Sequence, residues 1–430
     1  AAALADLDHG VVINTVFDAT ERAMLIAEIA QAAFQTGDDA LALEMAEQVA
    51  DDVRRWAPKV DWTAGLAAWN LGQYEVARGH FEIAAGSETL ASRELAGAAF
   101  WAARASLATR QPENVVPWLQ RAAADHHSLY GQLAARQLGI GSAIDFALPT
   151  LTPEQIAVAR NIPALRRAIA LSQIGQDIMA DREMRALYAA GGIGMAPVLL
   201  AAATEHGMAS AALRIGRVLW NYAGIEVAAA LYPLAPWTPE GGFAVDRALL
   251  HAFMRQESAF NIRALSVDGA RGLMQLLPST ASFVAGDRSL MQQNRGRLFL
   301  PEFNLELGQR YLRHLLETDD LRDNLLLVVA AYNGGPGNLA KWTRAMGNLD
   351  DPLMFLEKVP VRETREFVEV VIANLWIYRA RMGQESPSLD SLAANTWPVY
   401  RSVDGLIQTA RAGDAAPRRD HTVFVDARAN

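Results

Sequence analysis

The sequence predicts an all-α protein: a helical solenoid, built as a superhelix of helix pairs, followed by a mostly helical second half. Three observations predict this. Alanine and leucine dominate the 430 residues, and long β-branched runs are scarce. Apolar residues recur at i, i+3, i+4 and i+7, the period of one helix face. Turns near Gly37, Gly72 and Thr109 lie 35 and then 37 residues apart, the spacing of stacked helix pairs.

The solenoid is expected over residues 1–140. In "TGDDALALEMAEQVA", "LGQYEVARGHFEIAA" and "TRQPENVVPWLQRAAA" a turn is followed by a small residue, and in the last two by a large apolar one, Phe81 and Trp118. Residues 141–242 continue as a helical linker domain. Thr152 reads as an N-cap with Pro153 at the first helical position. Two further helices are separated at Gly207. The segment "YPLAPWTPEGG", 232–242, gathers three prolines and two glycines and marks the clearest boundary.

A different texture begins at Phe243. A helix is expected to about Phe260, then the polar segment "NIRALSVDGARG" and "LMQLLPSTASFVAG". Asn304 reads as the cap of "LELGQRYLRHLLE". "NLLLVVAAYNGGPGNL" is a helix stopped by its Gly-Gly-Pro-Gly cluster. "VPVRETREFVEVVIANLWIYRARM" closes a domain over 243–387. The tail, 388–430, is expected to be partly irregular.

Composition narrows the function classes. The chain has no cysteine, which excludes disulfides and thiolate metal sites, and its eight histidines form no ligand pair. No cofactor or metal is expected. No run of about 18 apolar residues is apparent in the sequence, so no transmembrane segment is expected. Net charge is −9, and residues 1–242 account for it with 17 Lys+Arg against 26 Asp+Glu. Such an acidic half does not seek nucleic acid. The balanced second half suits a ligand of low charge, such as a sugar. The opening "AAALADLDHG" has neither an initiator Met nor a leader, which fits a mature chain freed of its signal peptide.

The chemistry centres on "HAFMRQESAFN", 251–261. Leu250, Phe253 and Met254 form an apolar stripe, and the next position on it is Glu257. Burial disfavours the charged form of a carboxyl group, so an acid on such a stripe can hold the proton that glycosidic cleavage needs. By periodicity alone Glu257 equally reads as a helix-end residue meeting solvent, Arg255 or Arg263. Ser266, Asp268, Gly269, Gly272, Met274 and Gln275 follow within 20 residues. Ser266 and Gln275 can bond a polar uncharged ligand, and Asp268 before Gly269 reads as a turn residue. Tyr332 repeats the pattern, on the stripe of Leu325, Val328 and Val329 and before glycines.

"RQESAFNIRALSVDGARGLMQLLPSTA", "AAYNGGPG" and "VPVRETREFV" together resemble the catalytic domain of the soluble lytic transglycosylases, glycoside hydrolase family 23. "SLYGQLAARQLG" at 128–139 resembles that family's helical superhelix. The resemblance implies a U-shaped N-terminal superhelix and a lysozyme-like catalytic domain of the goose type at 243–387. It implies cleavage of the β-1,4 bond between N-acetylmuramic acid and N-acetylglucosamine in peptidoglycan without water, leaving 1,6-anhydro ends. By motif match Glu257 is the catalytic acid. Ser266, Met274, Gln275, Tyr332, Asn333 and Glu363 are substrate-binding or supporting positions. Tyr332 is expected near the acid, and Glu363 is expected buried. Leu277 departs from the Met common at its position. The implied partners are peptidoglycan glycan strands, with the solenoid available to cell-wall enzyme partners; a periplasmic monomer is expected. The alternatives are a lysozyme-type muramidase that uses water and a non-catalytic peptidoglycan-binding scaffold.

Overall fold

A computed structural model describes residues 17–141, 144–347 and 350–405. Among these the protein is all-α, and the only β pairings are isolated bridges. The chain separates into two compact units. Of the described residues, the first comprises 17–141, 321–347, 350–373 and 386–400, and the second 144–320, 374–385 and 401–405.

In the first unit, helices Ala19–Thr36, Asp39–Glu47, Lys59–Asn70, Tyr74–Ala85, Ser92–Ala108, Val115–Ala123 and Leu129–Gln137 each pack on their successor. The expected turns at Gly37 and Gly72 adopt positive φ, 88° and 75°, which glycine reaches without a Cβ penalty. Phe81 is fully buried. It fits because residue 65 is glycine: a Cβ there would lie 2.6 Å from the Phe81 ring. Trp62, Phe81, Trp101 and Tyr130 continue this cluster through edge and tilted ring contacts, a preferred aromatic geometry. Trp118 does not match Phe81; it stays half-exposed, and its neighbour Leu119 is buried instead.

The same unit holds helices Leu325–Gly334, Pro336–Met346 and Pro352–Lys358. The Lys358 ammonium donates to both oxygens of Asp39 at 3.0 Å. Arg104 donates to Asp351 at 2.6 Å while lying over Trp69 and Trp101. The start of the tail is more regular than expected. Pro387–Ala393 is a helix, and Leu325 N–H donates to Pro398 C=O at 2.8 Å. Backbone groups of 386–400 are thus paired, which composition alone does not reveal. Residues 406–430 lie outside the described residues.

The second unit is built on helices Pro153–Arg160, Pro163–Gln173, Asp177–Glu205 and Ala209–Ala223 around a core that includes Leu165, Met184, Leu199, Leu200 and Ile215. Thr152 caps its helix in a full capping box, with Pro153 at the first position. Gly207 separates the two later helices with φ 66°. One expectation is corrected: Asp177–Glu205 is long and apolar enough to cross a membrane. It is interrupted at Gly192 (φ 59°, ψ −151°) and contains Pro197. Its apolar second half packs into the core through Ala196, Val198, Leu199 and Leu200.

Candidate active site

The helix carrying the motif runs Arg247–Glu257, ending three residues before the expected Phe260. Leu250, Phe253 and Met254 are fully buried, and Glu257, the last helical residue, is half-buried. The stripe therefore ends with a carboxyl group at the edge of the core. The chain leaves the helix abruptly: Ser258 N–H bonds Met254 C=O, and Ala259 and Phe260 take φ of 49° and 62°. Positive φ in residues bearing a Cβ costs of order 1–3 kcal/mol each and collects at functional sites. Phe260 is nevertheless buried, so its packing helps hold the turn.

Long-range contacts fix this helix. Asp246 precedes it and is fully buried, accepting from Arg379 at 2.9 Å, Ser402 Oγ at 2.6 Å and Val403 N–H at 3.1 Å. His251 is buried. Its Nε2 accepts from Ala235 N–H at 3.0 Å, so Nδ1 carries the proton and donates to Arg247 C=O at 2.7 Å. Burial pushes this imidazole down to about 4, leaving it neutral. Arg255 donates to Leu231 C=O and Asn374 Oδ1 and lies over the Tyr232 ring. Motif reading missed Asp246 and His251 because their partners are distant in the chain. A histidine on the buried face of "HAFMRQES" was the one available signal.

The polar segment after the helix forms a small paired loop, with antiparallel bridges Leu265–Arg271 and Arg271–Leu276. Ser266 Oγ accepts from Ala270 N–H at 3.0 Å, and Asp268 sits in the exposed turn before Gly269. Gln275 has φ 43° and donates through Nε2 to Gly272 C=O at 2.8 Å. Gly272 is required here: φ is 75°, and a Cβ would lie 2.2 Å from the Leu298 carbonyl oxygen.

Asn304 corrects the sequence reading. It is no cap, since its helix begins at Pro301. It is buried at 0% exposure, accepts from Met274 N–H and donates to Arg271 and Leu298 C=O. Its amide thereby anchors the loop. Met274 is also corrected. Its side chain is 0% exposed and packed on Gly308, which makes it core and not a ligand contact. Leu277 is exposed just before Pro278.

Tyr332, Asn333 and Glu363 belong to the first unit. Tyr332 is half-buried at the end of Leu325–Gly334. Asn333 Oδ1 accepts from Thr364 Oγ1 at 2.6 Å. Trp342 lies against Gly334, where a Cβ would meet it at 2.6 Å. Glu363 is exposed, contrary to the buried position expected. It stands in the first turn of Arg362–Arg381, where the helix dipole favours a carboxylate.

The fold and this segment set the class: an all-α protein with a segment similar to transglycosylase domains. Residues 238–355 match the family model described as Transglycosylase SLT domain. Soluble lytic murein transglycosylase of Salmonella typhimurium is 35% identical over 145 residues, 34% of this chain and 22% of that protein. The Escherichia coli protein of the same name is 34% identical over 157 residues, 36% and 24% of the two chains. The aligned stretch thus spans about a quarter of these relatives' length. Lytic transglycosylase Slt of Pseudomonas aeruginosa, solved as an inactive mutant, shares the fold with TM-score 0.67. It is 24% identical, over 86% of this chain and 59% of that one. A 70-kDa soluble lytic transglycosylase solved with bulgecin A superimposes with TM-score 0.64 at 22% identity, over 85% and 59%. The resemblance read from the motifs is borne out.

Proposed function

We propose that this protein is a peptidoglycan lytic transglycosylase and that 243–387 acts as its catalytic domain. The observation that carries the reading is the placement of Glu257: it ends an apolar helix, inside the SLT-matched segment, at a strained turn. The C-terminal end of a helix dipole favours a neutral acid over an anion. In the proposed reaction the Glu257 carboxyl gives its proton to the glycosidic oxygen as the C1–O bond breaks. The muramic acid C6 oxygen then bonds to C1, and its proton returns to the Glu257 carboxylate. Water is not consumed. The substrate's 2-acetamido group is expected to stabilise C1, so no second carboxylate is called for. Ser266, Gln275, Tyr332, Asn333 and Glu363 are proposed to contact the glycan, and a periplasmic location follows from the substrate.

Purified sacculi treated with wild type and with Glu257→Gln test this by mass spectrometry of the muropeptides. Wild type should release 1,6-anhydro ends, lighter than hydrolytic ends by one water, and Glu257→Gln should lose at least about 100-fold in rate. Reducing ends alone, or full activity in the variant, would refute the proposal.

A further inference from the structure

Thr364 lies in the first turn of Arg362–Arg381 and is 1% exposed. A threonine hydroxyl has a single proton to donate. Here it goes to Asn333 Oδ1, 31 residues away in the same unit, at 2.6 Å. A β-branched side chain has few χ1 choices, and the surrounding turn is tied down as well. Arg365, also buried, donates through its side chain to Val359 C=O at 2.6 Å and through its backbone to Val361 C=O at 3.0 Å. The Thr364 hydroxyl is therefore a fixed donor, and its acceptor is a half-buried amide at the end of Leu325–Gly334.

The backbone that carries Asn333 is held from other sides too. A Cβ on Gly334 would lie 2.6 Å from the Trp342 ring and 3.4 Å from Thr364 Oγ1, so both groups flank this glycine closely. Asn338 Nδ2 donates to Gly334 C=O at 2.9 Å. A carboxamide offers one acceptor oxygen and two N–H donors. With Oδ1 bonded to a fixed hydroxyl, the amide plane and its sense are set. Among the described residues Asn333 Nδ2 donates to no protein acceptor. What Asn333 offers a ligand is thus a donor and not an acceptor. The complementary group is an uncharged acceptor oxygen, such as a sugar hydroxyl or an acetamido carbonyl.

We infer that Thr364 is a positioning residue, whose hydroxyl orients the Asn333 amide so that its NH2 donates to an acceptor oxygen of the glycan. The inference rests on the transglycosylase reading, in which Asn333 contacts the substrate. Thr364 itself touches no sugar and acts only through Asn333.

Two measurements on the full chain test it with soluble, uncrosslinked peptidoglycan strands. One is the steady-state release of anhydro ends. The other is calorimetric binding in the Glu257→Gln background, which needs no turnover. Thr364→Val removes the hydroxyl at nearly constant shape, and should raise KM and Kd roughly three- to tenfold with kcat unchanged. Thr364→Ser, which keeps the hydroxyl, should restore both to within about twofold of wild type. Asn333→Asp still accepts from Thr364 but has no NH2, and should weaken binding at least as much as Thr364→Val. Adding Thr364→Val to Asn333→Ala should change nothing further, because the two act as one unit. Unchanged KM in Thr364→Val, a lowered kcat at unchanged KM, or a serine that fails to restore binding overturns the inference. Wild-type binding by Asn333→Asp also overturns it, and decides the question even if Thr364→Val does not fold. Absence of anhydro ends from wild type sinks the function instead, whereas anhydro ends with binding unmoved by these variants sink only the Thr364 assignment.

Discussion

Replacing Glu369 by Gln tests the electrostatics of a cavity of about 200 Å³ in the first unit, lined by Glu357, Glu369, Tyr130, Arg93 and Arg365 among others. The Glu369 side chain is 13% exposed, with Arg93 Nε at 3.8 Å from its carboxylate. Burial, then the charge of Glu357, push its carboxyl up to about 8, against the pull of Arg93 and Arg365. Glu357 is raised too, by burial, although Arg365 and the Tyr130 hydroxyl, which donates to it, oppose the shift. The folded pKa of Glu369 thus lies above the unfolded value near 4.5, and the folded state holds an extra proton between them. Its contribution to stability is complete below about pH 4.5 and is lost as pH rises through about 8. One unit corresponds to 1.36 kcal/mol. Discounting for partial solvent access leaves about 2–3 kcal/mol lost between pH 5 and 9. Gln resembles the protonated acid, so at pH 5 the two proteins should melt together. At pH 9 Glu369→Gln should melt roughly 5–10 °C higher. The assay is thermal unfolding by circular dichroism across that range. Parallel melting curves, or a variant less stable at pH 9, would refute the buried-proton assignment.

Further outcomes follow from the second unit. Gly272→Ala should lower stability by about 3 kcal/mol or more, read as a melting shift, because it combines positive φ with a backbone collision at Leu298. Arg379→Met should cost about 3–5 kcal/mol: Arg379 is 1% exposed and Asp246 0%, so the variant strands a buried carboxylate. A melting point for Arg379→Met within 1 °C of wild type would show that the neighbouring Ser402 and Val403 donors alone satisfy Asp246.

The sequence by itself determined the helical class, the turns at Gly37, Gly72 and Gly207, the Thr152 cap and the stop at Gly335. These are local: each depends on a period, a cap or a positive φ within a few residues. It also placed Glu257 at the end of its stripe, because helical spacing fixes which positions share a face. Tertiary structure decided the rest. Asn304 reads locally as a helix cap, and only its bonds to Met274, Arg271 and Leu298 make it the anchor of the loop. Met274 and Glu363 carry motif positions, yet one is core and the other exposed. Asp246 reads as an ordinary helix-start acid until Arg379, 133 residues away, meets it in the interior. Burial is a sum over residues remote in sequence, so no local pattern encodes it.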